Sequence, residues 1–382
     1  MDYAFAPDIP GLTGNIVNNM FTNRANTKLI SQTGSISTVR DFIDELSTNA
    51  SVTKPVDNIM LASHAMPQGF LTTAKMYRAQ TKSTSYEVLD DIKTSAINGI
   101  MIPNTLIGYN AGNPVTHTFR IFGCNIGKAT PFLNKLKEAL GGNVKVLAPM
   151  HFDEFVDSDK YGVWEALCYE FRLTKKTAFA SRADYIAALT AKGFTYYDGT
   201  AVTAADWNSW VPAKITSPAA PLISYPMGAT IDKRTTISFK REFRYENKKA
   251  FTITITYANP ASIPLTGPGK LADFQSFLTT YKFRPSDAVT AFDNTHPYPM
   301  HVRWGFTSLQ DFVNGMDWKF SVNGDKMVCM GYYHEYTLLT PITDRSPGNA
   351  GNLIFNFYPA PASGFTAINK LDTTNRSFYA EV

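Results

Sequence analysis

The chain has 382 residues, of which 44% are hydrophobic, and 36 basic against 32 acidic residues give a net charge of +4. This length predicts two domains, and the near balance of charge argues against a nucleic-acid-binding protein, which usually carries a concentrated basic surface. The three cysteines, Cys124, Cys168 and Cys329, are too few and too widely spaced for a disulfide framework or a metal-ligand motif. The sequence contains no phosphate-binding or dinucleotide fingerprint, so we expect neither a cofactor nor a metal.

The first residues lack the basic and apolar regions of a signal peptide, and no run of about 18 uninterrupted apolar residues occurs in the sequence. We therefore expect no membrane span. Sparse cysteine is typical of a reducing compartment. Together these features predict a cytoplasmic protein, although export by a non-classical route stays open.

The N-terminal part of the chain begins with residues 1–27, which are rich in Asn, Thr and Gly and predict a lead-in with little regular structure. The spacing of apolar residues then predicts a helix over 35–48. A compact apolar run over 56–63 predicts a strand that stops at His64. A second helix is expected over 86–98.

A second strand is expected over 116–122, and it stops just before Cys124. It is followed by a helix over 130–140 and a strand over 144–148. The order strand–helix–strand–helix–strand is typical of a mostly parallel sheet with flanking helices. We therefore expect an α/β domain over residues 28–160.

The second half has a different pattern. Residues 161–227 predict a helical segment that ends in a Pro-rich linker at 212–227, and residues 228–382 predict an α+β domain rich in β-hairpins. The predicted helices cover 181–192, 204–210, 271–281 and 308–316. The predicted hairpins join 235–245 to 251–257 across a polar turn and 318–322 to 326–332 across Asn323-Gly324-Asp325, and a further strand covers 353–357.

His64 and Cys124 are the candidate catalytic residues of this sequence. The carboxyl ends of neighbouring parallel strands lie at one edge of a sheet, so the two side chains are expected to meet there. A thiol attacks an acyl carbon as the thiolate, and an imidazole can take its proton and later pass it to the leaving amine. Gly123 and Gly127 flank the cysteine and favour an exposed turn.

The strand that ends in His64 and the run Gly123-Cys124-Asn125-Ile126-Gly127 resemble the caspase-like (clan CD) cysteine peptidases. The likeness covers about residues 28–155 and is greatest to the bacterial branch found in surface proteins and self-processing toxins. The resemblance implies a caspase-like fold, with His64 as acid and base and Cys124 as nucleophile.

The same resemblance implies an oxyanion hole formed by the N–H groups of Ala65 and Cys124, next to Gly123. The family usually has glycine directly after the histidine, where this chain has Ala65. If that position requires a positive φ, alanine costs roughly 1 kcal/mol and distorts the turn.

Three further residues, His151, Asp153 and Glu154, follow the strand over 144–148 and are candidates for substrate binding. The two acidic residues would select a basic side chain, while the alternative is a surface histidine in an ordinary solvated loop.

Three functions stay open at this stage. The first is a cysteine endopeptidase that acts on a protein or peptide. The second is a catalytically inactive caspase-like scaffold with a structural or protein-interaction role. The third is another acyl transferase with the same dyad. The sequence makes no prediction about the oligomeric state.

Overall fold

The computed structural model describes residues 1–7, 14–49, 56–81, 83–94, 100, 102, 117–158, 162–215, 222–232, 235–280, 301, 306–347, 353–358 and 371–382. The chain forms two compact units. The first contains Met1–Tyr169, Pro226–Phe239 and Pro341–Val382, and the second contains Glu170–Tyr225 and Lys240–Thr340. This division differs from the sequential one expected with boundaries at 160 and 227.

The helices and strands follow one another along the chain in two groups. Up to residue 158 they are β1 (Asp2–Ala6), α1 (Gly14–Asn23), β2 (Thr27–Ser31), α2 (Val39–Asn49), β3 (Asn58–Ala62), β4 (Ala65–Met66), β5 (Phe70–Leu71), β6 (Thr84–Ser85), α3 (Tyr86–Thr94), β7 (Thr118–Phe122), α4 (Thr130–Ala139), β8 (Lys145–Pro149) and β9 (Phe152–Ser158). After it come β10 (Gly162–Lys175), α5 (Arg182–Lys192), α6 (Ala204–Trp210), β11 (Leu222–Asp232), β12 (Thr235–Thr256), α7 (Gly267–Thr280), α8 (Leu309–Gly315), β13 (Asp317–Asn323), β14 (Lys326–Pro341), β15 (Phe355–Tyr358) and β16 (Tyr379–Glu381).

A mostly parallel sheet forms the centre of the first unit. Its strand order is β16-β8-β7-β3-β1-β2, in which all neighbours are parallel except β16, which pairs antiparallel with β8. The predicted α/β architecture is therefore confirmed at this level. The predicted helices and strands before residue 150 are also present, although residues 95–98 of the second helix and residue 116 of the second strand lie outside the described chain.

Helices cover both faces of this sheet because its strands are apolar on both sides. In β1, Phe5 stacks on Phe42 of α2 with ring centroids 5.2 Å apart. Ala4 and Ala6 alternate with Phe5 and pack in the cluster that contains Met20 of α1. The strand is thus buried from both sides.

The expectation of little regular structure in residues 1–27 is wrong. Asp2–Ala6 is an inner strand of the parallel sheet, between β3 and β2, and Gly14–Asn23 is a helix. The run that forms the strand is only five residues long and is followed by Pro7. A segment this short gives little periodic signal, and its strand character depends on the neighbours that pair with it.

The first unit also contains antiparallel strands. β9 pairs with the first part of β10 from Ser158↔Gly162 to Phe152↔Cys168, and β15 pairs with the same part of β10 on its other side. The expectation of a helical segment from residue 161 onward is therefore wrong over 162–175. All residues of β10 from Val163 to Tyr169 are buried, so this part of the strand lacks the alternation that reveals a half-exposed strand.

In the second unit, α5 and α6 confirm the predicted helices at 181–192 and 204–210. Ser181 caps α5 by accepting from the Asp184 N–H, and Thr203 and Asp206 form a capping box at the start of α6. The helices α7 and α8 likewise match the predictions at 271–281 and 308–316, apart from residue 281, which lies outside the described chain.

Of the two predicted hairpins, the second is confirmed. β13 and β14 pair up to Asn323↔Lys326, and Gly324 has the left-handed φ of 61° that such a turn needs. The first is wrong, because Thr235–Thr256 is one continuous strand that pairs with β14 and accommodates Glu246–Lys249 as a bulge. The polar residues of the expected turn lie in extended backbone.

The expected Pro-rich linker at 212–227 lies partly in β11, which begins at Leu222, while residues 216–221 fall outside the described chain. The core of the second unit is an apolar cluster around Phe274, Phe312 and Met327. In the chain as described, no helix has the length and apolar character needed to span a membrane.

Candidate active site

The His64 and Cys124 turns leave the parallel sheet side by side. β3 and β7 are parallel neighbours whose register ends with the pair Ala62 and Phe122, and the Ser63 N–H then donates to the Phe122 carbonyl at 3.0 Å. His64 and Cys124 each come two residues after that last pair. Both therefore lie at the same level of the carboxyl edge, where α/β folds hold their reactive groups.

Gly123 is the residue at which the two turns touch. A Cβ at this position would lie 2.6 Å from the Ser63 carbonyl oxygen and 2.9 Å from the Cβ of Ala65. Both distances are shorter than packed atoms tolerate, so a side chain here would push the two turns apart. Glycine therefore sets the close approach of the His64 and Cys124 backbones.

Hydroxyl groups hold the backbone of His64. Its N–H donates to Thr73 Oγ1 at 3.1 Å, and its carbonyl accepts from Ser63 Oγ at 2.9 Å and from the Thr72 N–H at 2.8 Å. The imidazole is half-exposed and makes no hydrogen bond or ion pair with any described residue. The main chain of His64 is thus fixed by the hydrogen bonds around it.

Ala65 stands where the resemblance predicts glycine. The residue lies in β4 and is not among those with a left-handed φ, so the penalty that a positive φ would impose is absent. The bond from the Thr72 N–H to the His64 carbonyl makes Ala65↔Leu71 a non-hydrogen-bonded pair of the antiparallel ladder. The Ala65 N–H therefore points away from β5.

The Cys124 turn depends on its asparagine and its second glycine. Asn125 has a left-handed φ of 57°, a conformation that asparagine adopts more readily than most residues, and its N–H donates to the His151 carbonyl at 2.8 Å. Its Oδ1 accepts from Lys128 Nζ at 2.9 Å. A Cβ at Gly127 would lie 2.6 Å from a carbonyl oxygen of β8. The turn is therefore packed directly against the end of β8.

The thiol of Cys124 is half-buried, and its Sγ donates to the backbone carbonyl of Asp153 at 3.7 Å. The described hydrogen bonds include none between this sulfur and the His64 imidazole. Hydrogen bonds between catalytic groups are often formed only when substrate is bound. The Cys124 thiol and the His64 imidazole thus belong to the same edge of the sheet but are not hydrogen-bonded to each other.

A buried ion pair lies on the strand that leads to Cys124. Arg120 and Glu165 are 2.8 Å apart, with side chains 7% and 0% exposed. Arg120 also donates to the Tyr379 hydroxyl at 3.2 Å, and the Tyr358 hydroxyl donates to Glu165 at 2.6 Å. Burial alone would lower the pKa of Arg120, but Glu165 and the two tyrosines raise it above its usual value. The guanidinium is therefore permanently charged.

This network was not predicted from the sequence. Arg120 lies within the apolar strand Thr118–Phe122, and Glu165 lies within the apolar run Val163–Tyr169. A charged residue inside a buried strand is normally paired, so the sequence did indicate that Arg120 and Glu165 would each have a partner of opposite charge. Nothing in the sequence identified which charge was the partner.

Asp153 lies next to this ion pair but outside its hydrogen bonds. Its side chain is buried, and neither carboxyl oxygen makes a hydrogen bond of normal geometry within the described chain. Burial, followed by the charge of Glu165, raises the pKa of Asp153 well above its ordinary value, while Arg120 and the Gly123 N–H act in the opposite direction. The carboxyl group is thus strongly biased toward its neutral form.

The other two predicted substrate-binding residues have internal contacts. The His151 Nε2 lies 2.9 Å from the Ser377 carbonyl, and its ring packs edge-on against Tyr169 and Phe378. Burial, with a smaller effect of Lys128, lowers the pKa of His151 to about 4. The imidazole is therefore neutral at physiological pH.

Glu154 accepts a hydrogen bond from the Cys168 thiol at 3.3 Å. Burial and this carboxylate together raise the pKa of Cys168 well above its usual value, so that thiol stays protonated. Cys329 is also buried, in β14, where burial raises its pKa to about 12. Cys124 is the most exposed of the three cysteines.

No protein-family model, curated protein or solved structure matches the chain at a significant level. The geometry of the site is therefore the basis for assigning a function. Of the predicted site residues, four lie together at one edge of the sheet: His64, Ala65, Gly123 and Cys124. The Asp153 backbone carbonyl accepts from the Cys124 thiol, and the side chains of His151 and Glu154 contact other parts of the first unit.

Proposed function

We propose that the chain is a cysteine endopeptidase on a caspase-like scaffold, with Cys124 as nucleophile and His64 as general acid and base. The supporting observation is the equal level of His64 and Cys124 at the ends of parallel neighbours, with Gly123 in contact between them. Acyl transfer needs a nucleophile and a base that can come within hydrogen-bond reach, and two turns held this closely at one strand edge support that role for Cys124 and His64.

In this mechanism His64 takes the proton of the Cys124 thiol, and the thiolate attacks the carbonyl carbon of the scissile peptide bond. The resulting oxyanion is held by the N–H groups of Ala65 and Cys124. The imidazolium then protonates the leaving amine, and the acyl-enzyme is hydrolysed by a water molecule that His64 deprotonates.

The alternative is an inactive scaffold, and one observation favours it. The Cys124 thiol donates to the Asp153 carbonyl, while the His64 imidazole makes no hydrogen bond to any described residue. In such a scaffold the strand edge would serve for contact with another protein.

Incubation with a proteome-derived peptide library, followed by mass spectrometry of new termini, separates the two functions. A peptidase produces a recurring cleavage pattern that is lost in Cys124→Ala and kept in Cys329→Ala, whose sulfur is buried in the second unit. If wild type and Cys124→Ala give the same termini, the peptidase proposal fails and the scaffold is favoured.

A further inference from the structure

His151 lies between the Cys124 turn and the segment that leads into β16. Its backbone carbonyl accepts a hydrogen bond, 2.8 Å long, from the N–H of Asn125, the residue after the candidate nucleophile. Its side-chain Nε2 lies 2.9 Å from the carbonyl oxygen of Ser377, which is 226 residues further along the chain. His151 therefore connects the turn that carries the thiol to a segment distant in sequence.

The bond to Ser377 fixes the tautomer of the His151 imidazole. A carbonyl oxygen can only accept a hydrogen bond, so Nε2 is the nitrogen that carries the proton. The pKa of about 4 keeps this ring neutral at physiological pH, and a neutral imidazole has a single N–H. The only N–H of the His151 side chain is thus committed to the protein's own backbone.

The backbone next to His151 is held by the same distant segment. The Met150 N–H donates to the Phe378 carbonyl at 2.7 Å. The His151 ring packs edge-on against the ring of Phe378, with centroids 6.3 Å apart, and against that of Tyr169, with centroids 5.4 Å apart. Main chain and side chain are therefore anchored at neighbouring residues of one segment, which restricts movement of the His151 carbonyl.

The anchored carbonyl restrains the peptide unit that joins Cys124 to Asn125. This unit is planar and contains the N–H that donates to His151, so the hydrogen bond fixes the orientation of the whole plane. Asn125 is only 1% exposed and has the left-handed φ of 57°. A conformation of this kind persists only where the surrounding structure holds it. The placement of the Cys124 backbone thus depends on the position of the His151 carbonyl.

We propose that His151 is a positioning residue for Cys124: its imidazole N–H anchors it to Ser377, and its carbonyl holds the peptide unit after the nucleophile in the orientation used for acyl transfer. This role rests on the proposed function of Cys124. It differs from the substrate contact that the sequence led us to expect for His151, because both hydrogen bonds are made within the protein.

Hydrogen exchange of the Asn125 N–H, followed by NMR, tests this link without any need for peptidase activity. His151→Phe keeps an aromatic ring and loses the N–H donor. We expect the Asn125 N–H of this variant to exchange about fivefold faster than in the wild type, as the loss of one anchoring hydrogen bond predicts. His151→Gln, whose side-chain amide can again donate to the Ser377 carbonyl, should restore most of the protection.

His117→Phe is the matched control for this measurement. A ring nitrogen of His117 also bonds to a backbone carbonyl, that of Asp57, but His117 lies at the amino end of β7, whereas Cys124 follows its carboxyl end. Exchange at Asn125 should therefore stay at the wild-type rate in His117→Phe. Equal acceleration in the two Phe variants would overturn the proposal, because it would reflect only a general loss of stability.

Two further exchange results would also overturn the proposal. One is an unchanged rate in His151→Phe, and the other is a rate in His151→Gln as fast as that in His151→Phe. If His151→Phe does not fold, the ¹⁵N spectrum of the wild-type imidazole decides. The Nε2–H tautomer with a slowly exchanging proton supports the anchoring bond, and the Nδ1–H tautomer refutes it.

Kinetics on a peptide that the wild type cleaves separate positioning from substrate binding. His151→Phe should lower kcat about tenfold while KM stays unchanged, because the nucleophile is displaced and the substrate contacts are kept. His151→Gln should recover most of kcat. A rise in KM with kcat unchanged would assign His151 to substrate binding and overturn its positioning role. If the wild type cleaves no peptide, the proposed function fails, and the exchange rates still decide whether His151 holds the Cys124 turn.

Discussion

The turns that carry His64 and Cys124 meet at one edge of the sheet, yet they are held in different ways. Side-chain hydroxyls of Ser63 and Thr73 fix the His64 turn. The Cys124 turn is fixed by close backbone contact at Gly123 and Gly127. It also follows a strand that carries a buried charge, whereas β3 carries none.

These two kinds of support predict different sensitivities to substitution. A turn held by hydroxyl hydrogen bonds loses one interaction when one group is removed. A turn packed backbone against backbone must move as a whole when a single carbon is added. We therefore expect the cysteine side of the site to be far more sensitive to substitution than the histidine side.

The largest effect is expected for Glu165→Ala, which breaks the ion pair behind the Cys124 turn. Removal of one partner leaves Arg120 as an uncompensated buried charge and should lower the free energy of unfolding by about 3–5 kcal/mol. Urea denaturation measures this loss. Lys93→Ala, which breaks the exposed ion pair with Glu138, should cost less than about 1 kcal/mol. Equal losses for the two variants would show that the Arg120 pair is not sealed from water.

A smaller but still large effect is expected for Gly123→Ala. The added methyl overlaps the Ser63 carbonyl, which is backbone and cannot rotate away, so the variant should lose roughly 1–3 kcal/mol of stability. Gly34→Ala is the control, because nothing lies within 4 Å of a Cβ there. Thermal denaturation of both variants gives the comparison, and a stable Gly123→Ala would mean that the two turns are further apart than described.

The smallest effect is expected on the histidine side, for Thr73→Val. The variant loses the hydroxyl that accepts from the His64 N–H and bonds to Ser63, which should cost about 1 kcal/mol. Thr279→Val removes an exposed helical hydroxyl and should be close to neutral. If Thr73→Val is as destabilising as Gly123→Ala, the contrast between the two turns does not hold.

Much of the site's framework could be predicted from local patterns. The apolar runs that end at His64 and Cys124, and the amphipathic helix after the cysteine, are long enough to define β3, β7 and α4. Since crossover helices bring such strands into parallel register, the shared edge followed from the order of elements.

The parts that could not be predicted depend on contacts distant in sequence. Glu165 is 45 residues from Arg120, and Tyr379 is 259 residues from it, so no local pattern links them. The strand at Asp2–Ala6 is defined by its neighbours β2 and β3. The continuation of β12 through Glu246–Lys249 depends on pairing with β14, which overrides the turn preference of those residues.

The most direct test of the account is covalent labelling of Cys124 with a peptide that carries a thiol-reactive acyl electrophile. The wild type should be labelled selectively at Cys124, with Cys168 and Cys329 unmodified because both are buried. In His64→Ala the labelling rate at neutral pH should fall strongly, since the imidazole no longer assists formation of the thiolate. Equal labelling of wild type and His64→Ala would contradict a catalytic pairing of the two residues.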